Sequence, residues 1–264
     1  MAGNGPVLNL LFIGDVVGKG GRNAVRLLTP ELKQRFHCSF AIVNGENSAN
    51  GAGFSLSCIK DMEIADVLTA GDHVWDQKNF ETEILSVKNL VRPANLSTLQ
   101  PGKGWNVFRN PAGGEVAVIS LMGKVFMKES AYCPFETVEK ILPQIPRTVK
   151  CIIVDLHAEA TSEKAAMAWF LDGRVTAVIG THTHVQTADE RILPQGTGFL
   201  TDVGMTGAQE SVIGVKYQQS VSYFRGELGP RFESSDLDCA LLGAIFDIDE
   251  KTGRCQKVQR VNIR

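Results

Sequence analysis

The chain of 264 residues contains no CxxC pair; its six cysteines, Cys38, Cys58, Cys133, Cys151, Cys239 and Cys255, are scattered. That spacing excludes a thiolate zinc ribbon and the dense disulfide framework of a small secreted domain, and it predicts reduced thiols. Charge of one sign is also missing, because the formal net charge is only −2. With no basic stripe and no interleaved aromatics, neither a stable nucleic-acid partner nor an anionic membrane is expected. The opening MAGNGPVLNLLFIGD has no basic segment, and Asp15 breaks its apolar run too early for a spanning helix. A cytoplasmic, soluble chain follows as the expectation. Internal repeats, low-complexity tracts and obvious linkers are absent too, while 44% hydrophobic residues can fill a large core. One domain over residues 1–264 is therefore expected.

What the chain does have is a regular alternation. Apolar, β-branched runs at 7–14, 40–44, 67–70, 116–122, 151–156, 175–180 and 199–202 read as strands. Helical patterns fall between them at 21–36, 56–66, 81–87, 134–142 and 162–171. The alternation predicts an α/β protein. Toward the end, CALLGAIFDIDEKTGRCQKVQRVNI reads as two strands around a turn, an antiparallel hairpin. The Pro- and Gly-rich stretch 95–105 is the longest loop expected.

Polar clusters fall at the ends of five predicted strands. Asp15 follows the first, Glu46 and Asn47 the second, Asp72 and His73 the third, His157 a later one, and His182 and His184 close GTHTH. Each has a plain structural explanation when taken alone. Asp15 and the NGEN segment suit turns or a helix cap, and a lone histidine at a strand end is often a satisfied core residue. Taken together they are harder to dismiss, since four of the five histidines stand at strand exits beside three carboxylates. In open α/β sheets that edge is where ligands bind. If GTHTH stays extended, His182 and His184 point to the same side.

Seven donors exceed the needs of one tetrahedral ion and suit two ions sharing a carboxylate. Mixed oxygen and imidazole donors without thiolate fit iron, manganese, zinc or cobalt better than magnesium or calcium. Two such ions can clamp a phosphoryl group and acidify a water, so phosphate ester hydrolysis is the natural chemistry.

The order of D, GEN, GDH, a lone His after a strand, and GTHTH resembles the calcineurin-like metallophosphoesterases. More narrowly, NGENSANGAGFS, RPANLS, the segment 154–207 and SVIGV resemble the YmdB-like 2′,3′-cyclic-nucleotide phosphodiesterases of bacteria. The resemblance spans nearly the whole chain and is strongest over 154–215. It implies two packed β-sheets flanked by helices, and two transition-metal ions, iron and/or manganese. Asp15, Asn47 and His184 would hold one ion, Asp72, His157 and His182 the other, and Glu46 would bridge them. A metal-bridging hydroxide would attack the cyclic phosphodiester, and His73 would be the general acid.

One position departs from the pattern: the family usually has Asn where this chain has Asp72. Two divalent ions with Asp15, Glu46, Asp72 and a hydroxide sum to about zero, where asparagine would leave about +1. A second reading stays open, a regulatory protein that keeps the metals to hold a nucleotide or an RNA end with little turnover. His73 favours the enzyme, because a pure binder needs no proton donor there. The partner expected is a small cyclic nucleotide or phosphodiester; self-association into a homo-oligomer is left open. Further pocket residues are expected near 92–96, 126–127 and 205–207, with Arg92 either on phosphate or holding structure.

Overall fold

The computed structural model describes residues 7–128, 130–229 and 231–264. The reading of the first six residues as lacking a basic segment lies outside them. Strand β1 (Val7–Ile13) shows how the fold is layered. Its Leu8, Leu10 and Phe12 enter one buried cluster and its Leu11 and Ile13 another. Burial on both faces is why the strand's last four residues, Leu10 to Ile13, are continuously apolar rather than alternating.

The first sheet runs, in spatial order, β2 (Asp15–Val16), β12 (Met205–Ala208), β13 (Cys239–Asp249), β1, β3 (Phe40–Asn44), β4 (Val67–Thr69) and β5 (Leu90–Val91), with β14 (Cys255–Ile263) also on β13. The second runs β10 (Arg191–Ile192), β11 (Gly198–Leu200), β9 (Ala177–Thr181), β8 (Cys151–His157), β7 (Glu115–Met122) and β6 (Trp105–Arg109). Leu8, Leu10 and Phe12 of the first sheet share a core with Val116, Val118, Ile153 and Ile179 of the second, so the two sheets pack face to face. Helices α1 (Gly18–Arg35), α2 (Leu56–Asp61) and α3 (Phe80–Glu83) contribute to the cluster on the outer face of the first sheet. Helices α4 (Pro134–Ile141) and α5 (Thr161–Leu171) cover the second, and α6 (Tyr217–Phe224) lies near the chain's later loops.

The parallel pairings align the strand ends. Strands β1, β3, β4 and β5 run parallel in the first sheet, and β7, β8, β9 and β11 in the second. Register places Met122, His157 and Thr181 side by side at one edge. The C-terminal hairpin forms as expected and pairs antiparallel with β1, Val7 facing Asp249.

Several boundaries differ from the sequence pattern. Helix α1 starts three residues earlier than expected, at Gly18, because small residues there let it approach β12; a β-carbon on Gly21 would overlap the Thr206 carbonyl. Helix α2 stops at Asp61 rather than 66, and β6 occupies a stretch adjoining the expected loop. Strands β2, β5 and β10 have two residues each, too short to show any period. All six cysteines are unpaired. Among the described residues no helix is long and apolar enough to cross a membrane.

Candidate metal centre

Each sheet supplies a different kind of donor. Asp15 opens β2, Glu46 and Asn47 follow β3, and Asp72 and His73 follow β4, all in the first sheet. His157 ends β8, and His182 and His184 follow β9, both in the second. Of the seven candidate donors, the oxygens thus come from one sheet and the imidazoles from the other.

They converge around His157, which is fully buried. Its Nε2 lies 2.9 Å from Glu46 Oε1, 3.0 Å from Asp72 Oδ1 and 2.9 Å from His182 Nδ1. One ligand atom from each of Glu46, Asp72, His157 and His182 lies within 4.8 Å of the others. Asp15, also buried, accepts the His182 backbone N–H at 3.2 Å, and its Oδ1 is 3.8 Å from His157 Nδ1. Asn47 Oδ1 is 3.3 Å from His184 Nε2. Gly71 makes the approach feasible, because a β-carbon there would overlap both the Glu46 carboxylate and the His157 ring.

A buried relay orients His157. Thr181 Oγ1 donates to Asp155 Oδ1 at 2.8 Å and therefore accepts from His157 Nδ1 at 2.9 Å. That leaves Nε2 facing the carboxylates, the arrangement by which outer hydrogen bonds fix a ligating imidazole. Asp155 in turn accepts from Thr69 Oγ1 and from Asn44 Nδ2. Burial raises its pKa to about 6, against those hydrogen bonds.

The electrostatics ask for a cation. Burial opposes charge on His157, yet Glu46, Asp72 and Asp15 raise its pKa well above the ordinary histidine value. Burial likewise opposes charge on Asp72, yet hydrogen bonds from His157 and His182 hold its carboxyl far below the usual range. Glu46 Oε1 is buried and, although His157 Nε2 lies 2.9 Å away, it meets no donor in hydrogen-bonding geometry. Converging ligand atoms, a buried carboxylate oxygen with no well-aligned donor and the close approach that Gly71 permits fit a metal ion, and the nitrogen and oxygen donor set fits a transition metal.

His73 sits beside this cluster. Its Nδ1 is 2.7 Å from Asp76 Oδ2, and its backbone N–H points at Glu46 Oε2 at 3.4 Å. Burial lowers its pKa, but Glu46, Asp72 and Asp76 outweigh that and raise it above the ordinary value. Raising it favours a protonated ring with Nδ1–H on Asp76 and Nε2–H free.

The GTHTH segment corrects one expectation. Strand β9 ends at Thr181, and His182 and His184 take φ of 98° and 65°, so the segment is not extended. His182 turns to His157 while His184 turns to Asn47. The left-handed conformations are held from Thr183, whose N–H and Oγ1 both donate to buried Asp202, at 3.1 and 2.8 Å.

A cavity of about 550 Å³ opens on the cluster. Its lining includes Glu46, Asn47, His73, His182 and His184, together with residues 213–215 and 231–234. The loops expected at 92–96, 126–127 and 205–207 are not among the lining residues. Arg92 is structural: its guanidinium donates to the carbonyls of Pro93, Ser97, Gln100 and Pro101 and so ties down the loop that follows. Sequence reasoning also missed Asp76, Asp155, Thr181 and Asp202. Only Asp76, three residues after His73, carried a local signal.

Two face-to-face sheets flanked by helices, with parallel strand ends gathered on this cluster, define a calcineurin-like metallophosphoesterase fold. The profile of the family described as YmdB-like protein matches residues 11–261, and the chain belongs to that family. It is 42% identical over 258 residues to a 2′,3′-cyclic-nucleotide 2′-phosphodiesterase of Bacillus subtilis, covering 97% of each. A solved structure described as a novel phosphatase of Mycoplasma pneumoniae matches with a TM-score of 0.90 at 35% identity, covering 98% of this chain and 94% of that one. A hypothetical protein of Thermus thermophilus matches with a TM-score of 0.88 at 33% identity, covering 97% of this chain and 98% of that one.

Proposed function

We propose that the protein is a cytoplasmic dinuclear phosphodiesterase, using iron and/or manganese, that opens 2′,3′-cyclic nucleotides to nucleoside monophosphates. Asp15, Asn47 and His184 would hold one ion, Asp72, His157 and His182 the other, with Glu46 between them. The bound ions would supply Lewis acidity at the phosphate and lower the pKa of the attacking water. The observation that carries the reading is the convergence of Glu46 Oε1, Asp72 Oδ1 and His182 Nδ1 on His157 Nε2, with an Asp76-held imidazole on the same cavity.

The chain's own residues would then act as follows. Thr181 and Asp155 keep His157 Nε2 aimed at the cluster, and Asp202 keeps the His182–His184 turn in place. Asp76 orients His73 and favours its protonated form. As the water oxygen bonds to phosphorus and releases one proton to solvent, the P–O2′ bond breaks and its electron pair takes a proton from His73 Nε2 at O2′; the phosphate stays on the 3′ oxygen, and solvent reprotonates His73. The similarity to the Bacillus subtilis relative supports this choice of bond.

Elemental analysis paired with a substrate screen tests the proposal. About two ions per chain and faster turnover of 2′,3′-cyclic nucleotides than of monoesters are expected. One ion or fewer after reconstitution with iron and manganese overturns the dinuclear site, and faster monoester hydrolysis overturns the substrate.

A further inference from the structure

Part of the cavity lining lies outside the donor cluster and has a different chemistry. Arg231 and Phe232 both line it. Phe232 is 49% exposed, and its ring meets Tyr223 edge to face, with centroids 5.4 Å apart and planes at 75°. Arg231 is the only lysine or arginine among the described lining residues, which also include the carboxylates of Glu46, Glu159 and Glu233. Apart from any bound ion, it is therefore the one permanently cationic side chain an anionic ligand meets there.

The backbone beside the ring is pinned. Glu233 N–H donates to Gln219 Oε1 at 2.8 Å, and the Lys216 N–H donates to the Glu233 carbonyl at 3.0 Å. The Ser235 N–H donates to the Gly214 carbonyl at 2.8 Å. This ties 233–235 to the loop 213–216, and that loop reaches the donor cluster, since His184 Nδ1–H donates to the Ile213 carbonyl at 2.9 Å. A half-exposed aromatic ring on a braced segment, continuous with a phosphate-handling site, is preorganised for a flat apolar ligand rather than left over from the core.

We propose that Phe232, buttressed by Tyr223, is the stacking platform for the nucleoside base of the ligand. The proposal rests on the phosphodiesterase reading for its phosphate end. Stacking tolerates any base because every base has a π face, so the subsite would raise affinity without selecting strongly between purine and pyrimidine.

Two measurements on the full-length, manganese-loaded protein test it. By calorimetry, Phe232→Ala weakens binding of adenosine 3′-monophosphate about tenfold relative to inorganic phosphate, and Phe232→Trp restores it. In turnover, Phe232→Ala lowers kcat/KM for adenosine 2′,3′-cyclic phosphate about tenfold relative to glycerol 1,2-cyclic phosphate, which has no base. Equal losses on both members of a pair, or no loss, overturn the proposal. So does an unbound nucleotide in the wild type, or a change of oligomeric mass in Phe232→Ala with nucleotide affinity intact, which would make the ring a contact between copies. If the wild type turns over neither diester, the phosphodiesterase reading fails by itself, and the calorimetric comparison still decides the role of Phe232.

Discussion

Lys164 Nζ lies 2.7 Å from Asp202 Oδ2, and both side chains are sealed from solvent. The pair sits behind the His182–His184 turn, because the same Asp202 oxygen accepts both hydrogen bonds from Thr183. Removing one partner leaves an uncompensated buried charge, whereas replacing both need not. Lys164→Met is expected to cost about 3–5 kcal/mol in urea unfolding, and Lys164→Met with Asp202→Asn less than the sum of the singles. Asp202→Asn should also weaken manganese binding more than Lys164→Met does, since it alters the acceptor that holds Thr183. An unchanged urea midpoint in Lys164→Met would refute the buried-charge argument.

In the proposed dinuclear site, His73→Ala should retain the two ions while kcat falls about 10²- to 10⁴-fold, the usual contribution of a positioned general acid. With p-nitrophenolate as leaving group little protonation is needed, so the loss there should be small. Equal losses on the two substrates remove His73 from the role, and loss of metal makes it a ligand instead.

Asp76 should set the alkaline limit of the reaction. A general acid works below its pKa and fails as pH rises through it. Asp76 is one of the groups raising the His73 pKa, through a 2.7 Å hydrogen bond and its charge. Asp76→Asn removes that charge, so the alkaline limb of kcat should move to lower pH while the acid limb stays. A pH profile of both forms checks this, and an upward or absent shift of that limb contradicts it.

Asp72 contributes a carboxylate where the resemblance to the YmdB-like family leads to an expectation of Asn. In the proposed dinuclear site its charge would offset that of two divalent ions and should weaken attraction for an anionic diester. Asp72→Asn, reconstituted with manganese alone to matched occupancy, should bind metal and show a lower KM for a cyclic nucleotide. An unchanged or higher KM means that the charge is screened at the centre.

The strand-end clusters were legible in the sequence because each lies within a few residues of a long apolar run. Long strands and the C-terminal hairpin were legible for the same reason: buried runs keep their pattern over many residues. The face-to-face sheets were not, since Leu10 shares a core with Val118 and Ile179, residues far away in the chain. Spacing also misjudged His182 and His184, which look like alternate residues of a strand but reach different partners through positive φ angles. Asp155 and Asp202 read as ordinary polar residues in or just after strands, and only their three-dimensional neighbours show what they orient. Phe232 lay hidden because an exposed phenylalanine in a loop has no periodicity.

The split of donors between the sheets has a consequence for how the protein is made. Asp15, Glu46, Asn47 and Asp72 leave the ribosome first, and His157 follows Asp72 by 85 residues. A nascent chain carrying only those oxygens offers the ligands that hard ions such as magnesium and calcium prefer. Imidazoles arrive later, and β13, which pairs with β1 and β12, later still. Discrimination for an imidazole-preferring ion such as iron would therefore be exercised at the end of synthesis, when the second sheet closes on the first.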